Sequence, residues 1–145
     1  MLQVGCLEEY HHVDDGLAAN LERADGVFLL RIESSSPPRR RRVGDYCGDS
    51  TEHVATVIET VKDRRGGAPM SLRFLLEGNH QYDPGTHHFA LLRWESSVDA
   101  YWVLSGRYIV PVQGGLVDCA WPNDETPCGP ASDVLTALRS LVAQP

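Results

Sequence analysis

The residues of this chain best suited to covalent chemistry are Cys47 and the adjacent pair His87 and His88. Cys47 stands in GDYCGDSTEHV, just ahead of a stretch with helical periodicity. A thiol near a helix N-terminus meets the positive end of the dipole and unpaired backbone N–H groups, and both favour the thiolate. A histidine beside it would take the thiol proton and later return it to a leaving group. His88 is preferred to His87 for that role, because it shares a strand face with Ala90, Leu92 and Trp94. A third polar group must orient the imidazole. Asp99, Ser105 and Gln113 are the downstream positions for it, and Asp99 has the strongest chemistry of the three.

Thiolate and imidazole are also zinc ligands. His80, His87, His88, Cys119 and Cys128 fall in one half of the chain, and His11 and His12 would join them only through folding. Eight residues separate Cys119 from Cys128 and six separate His80 from His87, spacings that match no common zinc module. TPCGPAS has the Pro-Cys of a zinc deaminase but lacks the second cysteine. No metal or other cofactor is expected. The run SSSPPRRRR places four arginines after two prolines. Their mutual repulsion predicts a mobile Pro/Arg-rich loop over 33–45, open to an anion, an acidic partner or the chain's own carboxylates. Phe89, Trp94, Tyr101, Trp102 and Tyr108 cluster further on and read as core and sheet-face residues, with a small-molecule cup as the other use of such a set. No basic residues interleave with them as a base-stacking platform would need.

The elements that must position these groups follow from periodicity and turn chemistry. Residues 2–7 suggest a short strand. Asp14 or Asp15 suits an N-cap for a helix carrying Leu17, Leu21 and Ala24, and VFLLRI at 27–32 reads as a buried strand. Val54, Val57, Ile58 and Val61 recur at helical spacing, Asp49 and Glu52 have capping-box spacing, and Gly66–Gly67 supplies a stop, so a helix is predicted here. Strands are expected at 70–77, 87–95, 99–105 and 107–113, the second apolar on both faces and therefore central. A Gly/Pro/Cys loop over 114–130 leads to a last helix with Pro130 at its start and Val134, Leu135, Leu138, Leu141 and Val142 on one face. The expected fold is α+β in a single domain over 1–145. It has a mostly antiparallel sheet of five to six strands and three helices, in the order β-α-β-α-β-β-β-β-α.

Cysteine at the head of a helix, a strand, then histidine opening an apolar strand resembles the layout of compact papain-like proteins: transglutaminase-like hydrolases, NlpC-type peptidases and papain-like toxin domains. YCGDSTEHVATVIETV resembles their nucleophile helix, and HHFALLRWESSVDAYWVLSG their histidine strand and hairpin. The resemblance covers residues 44–106. It departs in placing Cys47 two residues ahead of the N-cap, and in ending WVLSG on Ser105 where the family has Asp or Asn. It implies a cysteine hydrolase or acyltransferase attacking an amide or ester, with Cys47 as nucleophile, His88 or His87 as acid and base, and Asp99 as orienter. The alternative is a non-enzymatic protein-binding domain: an immunity, adaptor or accessory protein with an acidic surface.

Composition narrows the partners. The 145 residues carry a formal charge of −7, with 42% hydrophobic and 23% charged residues. That length suffices for one core burying roughly two-thirds of the unfolded surface. Broad attraction to nucleic acid or anionic lipid is not expected of an acidic chain, the arginine run at 37–42 being the one local exception, so the expected partner is a protein or peptide. No apolar run approaches the ~20 residues of a membrane span. The N-terminal stretch turns acidic at Glu8 and Glu9, unlike a signal peptide, and four scattered cysteines without that signal suggest free thiols in a reducing cytoplasm.

Overall fold

In the computed structural model, which describes residues 16–119 and 126–144, the run VFLLRI forms the middle of β1 (Gly26–Ser35). Side chains alternate along a strand, so Phe28, Leu30 and Ile32 face one core while Val27 and Leu29 face another. The run HHFALLRWE becomes β5 (His87–Glu95), also buried on both faces. Each needs neighbours on both sides. β5 pairs with β1, with β6 (Ala100–Val103) and with β7 (Ile109–Gln113), which makes it central as its sequence predicts.

β1 pairs with β3 (Tyr46–Asp63), β3 with β4 (Ser71–Glu77), β4 with β6, β6 with β5, and β5 with β1 again. Five strands therefore close into a barrel. Every one of these pairings is antiparallel except β4–β6. That order is the Greek-key connectivity of OB-fold barrels. Three register shifts between β1 and β3 supply the added twist that closure requires. The interior is filled by Phe28, Leu30, Ile32, Phe74, Leu92 and Tyr101, among others.

A second core lies outside the barrel. There α1 (Leu17–Arg23) and α2 (Ala131–Val142) cover the far side of β1 and β5. Leu17, Leu21 and Ala24 of the first helix region and Val134 and Leu138 of α2 are buried there, as their spacing predicts. α1 ends beneath two cations: Lys62 Nζ donates to the Leu21 carbonyl at 2.7 Å, and Arg64 donates to that of Glu22. These satisfy carbonyls that a helix end leaves unpaired. A short 3₁₀ turn (Leu104–Gly106) and the two-residue strands β8 (Leu116–Val117) and β9 (Gly129–Pro130) complete the chain between β6 and α2.

The broad α+β expectation holds, with two helices and nine strands among the described residues in place of three and five to six. The largest difference is at 49–65. The residues at helical spacing there are β-branched and interleaved with Thr51, Thr56 and Thr60, a composition that packs better on a pleated surface than along a helix. They form the 18-residue β3. Its two-residue alternation buries Thr51, His53 and Ala55. The second difference is the arginine run. Arg39–Val43 forms β2, paired with Tyr46–Ser50 of β3, and residues 33–35 belong to β1. Only 36–38 and the 44–45 turn lie between strands. Alternation sends Arg39 and Arg41 to one face and Arg40 and Arg42 to the other, which relieves the repulsion expected of a loop.

The cysteines also differ from expectation. Cys119 and Cys128 are joined in a disulfide that spans the connection between β8 and β9, Cys47 is disulfide-bonded, and no described cysteine is free. Residues 2–7 and the caps at Asp14 and Asp15 lie outside the described residues; Gly16 occupies the N-cap of α1. Among the described residues no helix is long and apolar enough to cross a membrane.

Candidate functional site

The residues expected to form a catalytic set are not brought together. Cys47 lies near the start of β3, opposite Arg42 on β2, in a strand and not at the head of a helix. Its disulfide leaves no thiol to ionise. His88 pairs with Leu30, and Leu30 with Val57, ten residues beyond Cys47 along β3. Through Tyr82, His88 also meets His53, six residues along β3 from Cys47, which is roughly 20 Å of extended strand. Asp99 precedes β6 at the other end of β5 from His88, in a turn where its φ is +51°. His87 and His88 point to opposite sides of β5, His87 half-buried outside and His88 into the barrel. Gln113 is exposed at the end of β7, and Ser105 adopts φ +55° within the 3₁₀ turn. Of the residues weighed as metal ligands, Cys119 and Cys128 have their thiolates taken up by the disulfide, and no metal-holding cluster occurs among the described residues.

His88 instead belongs to a buried aromatic group at the barrel end near the 78–86 connection. Tyr82 packs against both His88 and His53, with ring centroids 4.5 and 5.1 Å apart, and His53 stacks on Phe74 at 4.9 Å. The Ser35 hydroxyl lies 2.7 Å from His53 Nδ1 and accepts from the Tyr82 backbone N–H at 3.3 Å, tying β1, β3 and the connection together. His53 Nε2 and His88 Nδ1 are buried without a hydrogen-bond partner among the described residues. Burial, with added repulsion from His80 and His88, pushes the His53 imidazole down to about 4. Burial and the neighbouring His87 do the same to His88, while burial pushes the Tyr82 hydroxyl up to about 12. All three rings are uncharged at neutral pH. An imidazole this weakly basic is poorly matched to general-base work there. Sequence reasoning missed His53 because it fell inside the expected helix; its period-2 companions Thr51 and Ala55 were the available signal.

The charged groups organise on the other side of the sheet. Arg39, Ser50, Glu52 and Arg73 share the outer face of β2–β3–β4, as the cross-strand register dictates. Arg41 lies on the same face. It donates to the Ser50 carbonyl and hydroxyl, both at 2.8 Å, which fixes its stem against the sheet. Arg73 donates to Glu52 at 2.8 Å, and that bond is the main reason the Glu52 carboxyl is held below the usual carboxylate range; the charges of Arg73, Arg41 and Arg39 add to it. Burial, followed by the Arg39 charge, pulls the Arg41 guanidinium below its ordinary value. Glu52 therefore sits among three guanidiniums, while a second carboxylate, Glu77, shares the face opposite Ser50, so the patch keeps one positive charge in excess in an otherwise acidic chain.

No protein-family model matches this chain, and none of the curated proteins matches its sequence.

Proposed function

We propose that this chain is a non-enzymatic protein-binding domain whose recognition surface is the basic outer face of β2, β3 and β4. The observation that carries this reading is the group of Arg39, Arg41 and Arg73 around the Glu52 carboxylate, a group that outnumbers the two carboxylates, Glu52 and Glu77, on that face. Guanidinium groups bind carboxylates through paired, planar hydrogen bonds, and Arg41 is already immobilised on Ser50, so little of its freedom remains to be lost. The partner is a protein presenting an acidic segment. Barrels of this connectivity use the face of their second and third strands, here β3 and β4, for oligonucleotides and oligosaccharides, so it is the face such a barrel leaves open to a ligand. The net charge of −7 favours a protein segment over nucleic acid. The loss of the Cys47 thiol to a disulfide removes the nucleophile on which the hydrolase expectation rested. Disulfides persist in oxidising compartments. A periplasmic, luminal or extracellular setting is thus the proposed location, in place of the cytoplasm.

The test uses an eight-residue oligoglutamate peptide as probe, titrated calorimetrically at low salt against a Gly/Ser peptide of equal length. The expected result is binding of the acidic peptide alone, weakening as salt screens the interaction. Arg39→Ser with Arg73→Ser should abolish it in a protein whose circular dichroism is unchanged. Equal binding of both peptides, or binding that survives the double substitution, would overturn the reading.

A further inference from the structure

β4 and β6 pair only through Phe74–Tyr101 and Leu75–Trp102, so the strands are splayed where they begin. A cleft of about 440 Å³ opens there, within the size range of small-molecule sites. Val54, Leu72, Pro69, Trp94 and Tyr101 give it apolar walls. Two charged side chains line it, Arg65 and Asp99, besides Arg73, which Glu52 already engages.

Both charges are held in place by the fold. The Asp63 carboxylate accepts from the backbone N–H groups of Gly66 and Ala68, at 3.0 and 3.2 Å, and so fixes the loop carrying Arg65. The Arg65 guanidinium lies 3.7 Å from the centroid of the Trp94 ring. A stacked guanidinium keeps its N–H edge available for a planar anion. Trp94 is itself positioned, its backbone N–H donating to Asp25 at 2.7 Å and its ring meeting Tyr101 edge-on at 5.2 Å. Asp99 is set by the 96–99 turn, through its backbone N–H bond to Ser96. The side chains of Arg65 and Asp99 make no hydrogen bond or ion pair with any described residue, nor with each other, although both line one cleft.

We infer that this cleft is a binding site for a small zwitterion with an apolar body, that is, a free amino acid with a hydrophobic side chain. Its carboxylate sits on the edge of Arg65, its ammonium on Asp99, and its side chain against Leu72, Val54 and Tyr101. The cleft adjoins the acidic-partner face, since Arg73 lines it and feels the Asp99 charge. Arg65 and Asp99 lie outside that patch, so their substitutions test this assignment without altering the arginines of the other.

Calorimetric titration with L-leucine and L-phenylalanine tests it, alongside N-acetyl-L-leucine, which lacks the ammonium, and L-leucinamide, which lacks the carboxylate. Removing either charged end of the ligand should weaken binding about tenfold or more, so both derivatives bind more weakly than leucine. Arg65→Met, which keeps an apolar stem over Trp94, and Asp99→Asn, which tolerates the left-handed backbone, should each weaken leucine by a similar factor with thermal unfolding unchanged. No heat of binding from either amino acid at millimolar concentration would overturn the assignment. So would a blocked derivative binding as tightly as leucine, or leucine affinity unmoved by either substitution.

Discussion

The two buried imidazoles make the stability of this barrel depend on pH in a range where few other groups titrate. His53 and His88 have an ordinary value of 6.5 and are pushed down to about 4 in the folded chain. Between those values the unfolded chain takes up protons that the folded chain refuses. Stability is therefore fully present above the unfolded value and is lost as pH falls toward the folded one. Moving from pH 7 to pH 5, the loss is about 2 kcal/mol for each imidazole, and about 4 kcal/mol for the pair. That is a large share of the ~5–15 kcal/mol typical of a domain. The assay is urea unfolding at both pH values, disulfides intact, for the wild type and for His53→Asn with His88→Leu. Asparagine keeps a partner for the Ser35 hydroxyl, and leucine removes the orphaned His88 Nδ1. The double variant starts from its own stability at neutral pH, but the difference between the two pH values should shrink to under about 1 kcal/mol. A wild type indifferent to this pH change, or a variant that loses as much as the wild type, would refute the reasoning.

Other substitutions read single features of the fold by the same urea titration. Replacing Cys119 and Cys128 together by serine opens a closed loop of sequence separation 9, and the entropy regained by the unfolded chain should lower stability by about 2–3 kcal/mol. Gly26→Ala would place a Cβ 2.3 Å from Cε2 of Phe28, a fully buried ring with little space to move, and should cost roughly 1–3 kcal/mol. Leu138→Ala removes a fully buried side chain of α2 from the outer core and should cost about 2–5 kcal/mol.

Where hydrophobic period and backbone preference agreed, the sequence was legible. α2 combines Pro130 before its first turn with apolar residues on one face, and it forms over Ala131–Val142 as that pattern predicts. β5 runs over the residues expected of it, because nothing in HHFALLRWE competes with a doubly buried strand. The failure at 46–63 came from counting period without weighing residue type. Val54, Val57, Ile58 and Val61 fit a helical stripe, but with three threonines among them each turn of helix would carry stiff branched side chains. The same segment also fits a strand, and closing a barrel rewards the strand with partners on both sides over residues 53–56. The candidate site was less legible than the fold. Cys47, His88 and Asp99 are adjacent to chemically suggestive neighbours in sequence, while their separation depends on which strand lies beside which, and no local pattern states that.

The arginine run shows how one local assignment decides a functional reading. As a loop, four like charges have no defined direction and pair with any anion within reach. As β2, they are divided by the pleat, and only Arg39 and Arg41 turn toward the face that carries Glu52 and Arg73. Shifting the β2–β3 register by one residue would exchange the two pairs and leave Glu52 with Arg73 alone. Val43 holds the register, because it shares the face of Arg39 and Arg41 and is buried in a small outer core with Leu75, Ala100 and Trp102. A polar residue at 43 would loosen that hold without touching a single charge. Val43→Thr, an almost isosteric change, should therefore weaken oligoglutamate binding as well as stability. Full binding by a folded Val43→Thr protein would show that the arginines act as a mobile cluster, with no need of the β2–β3 register.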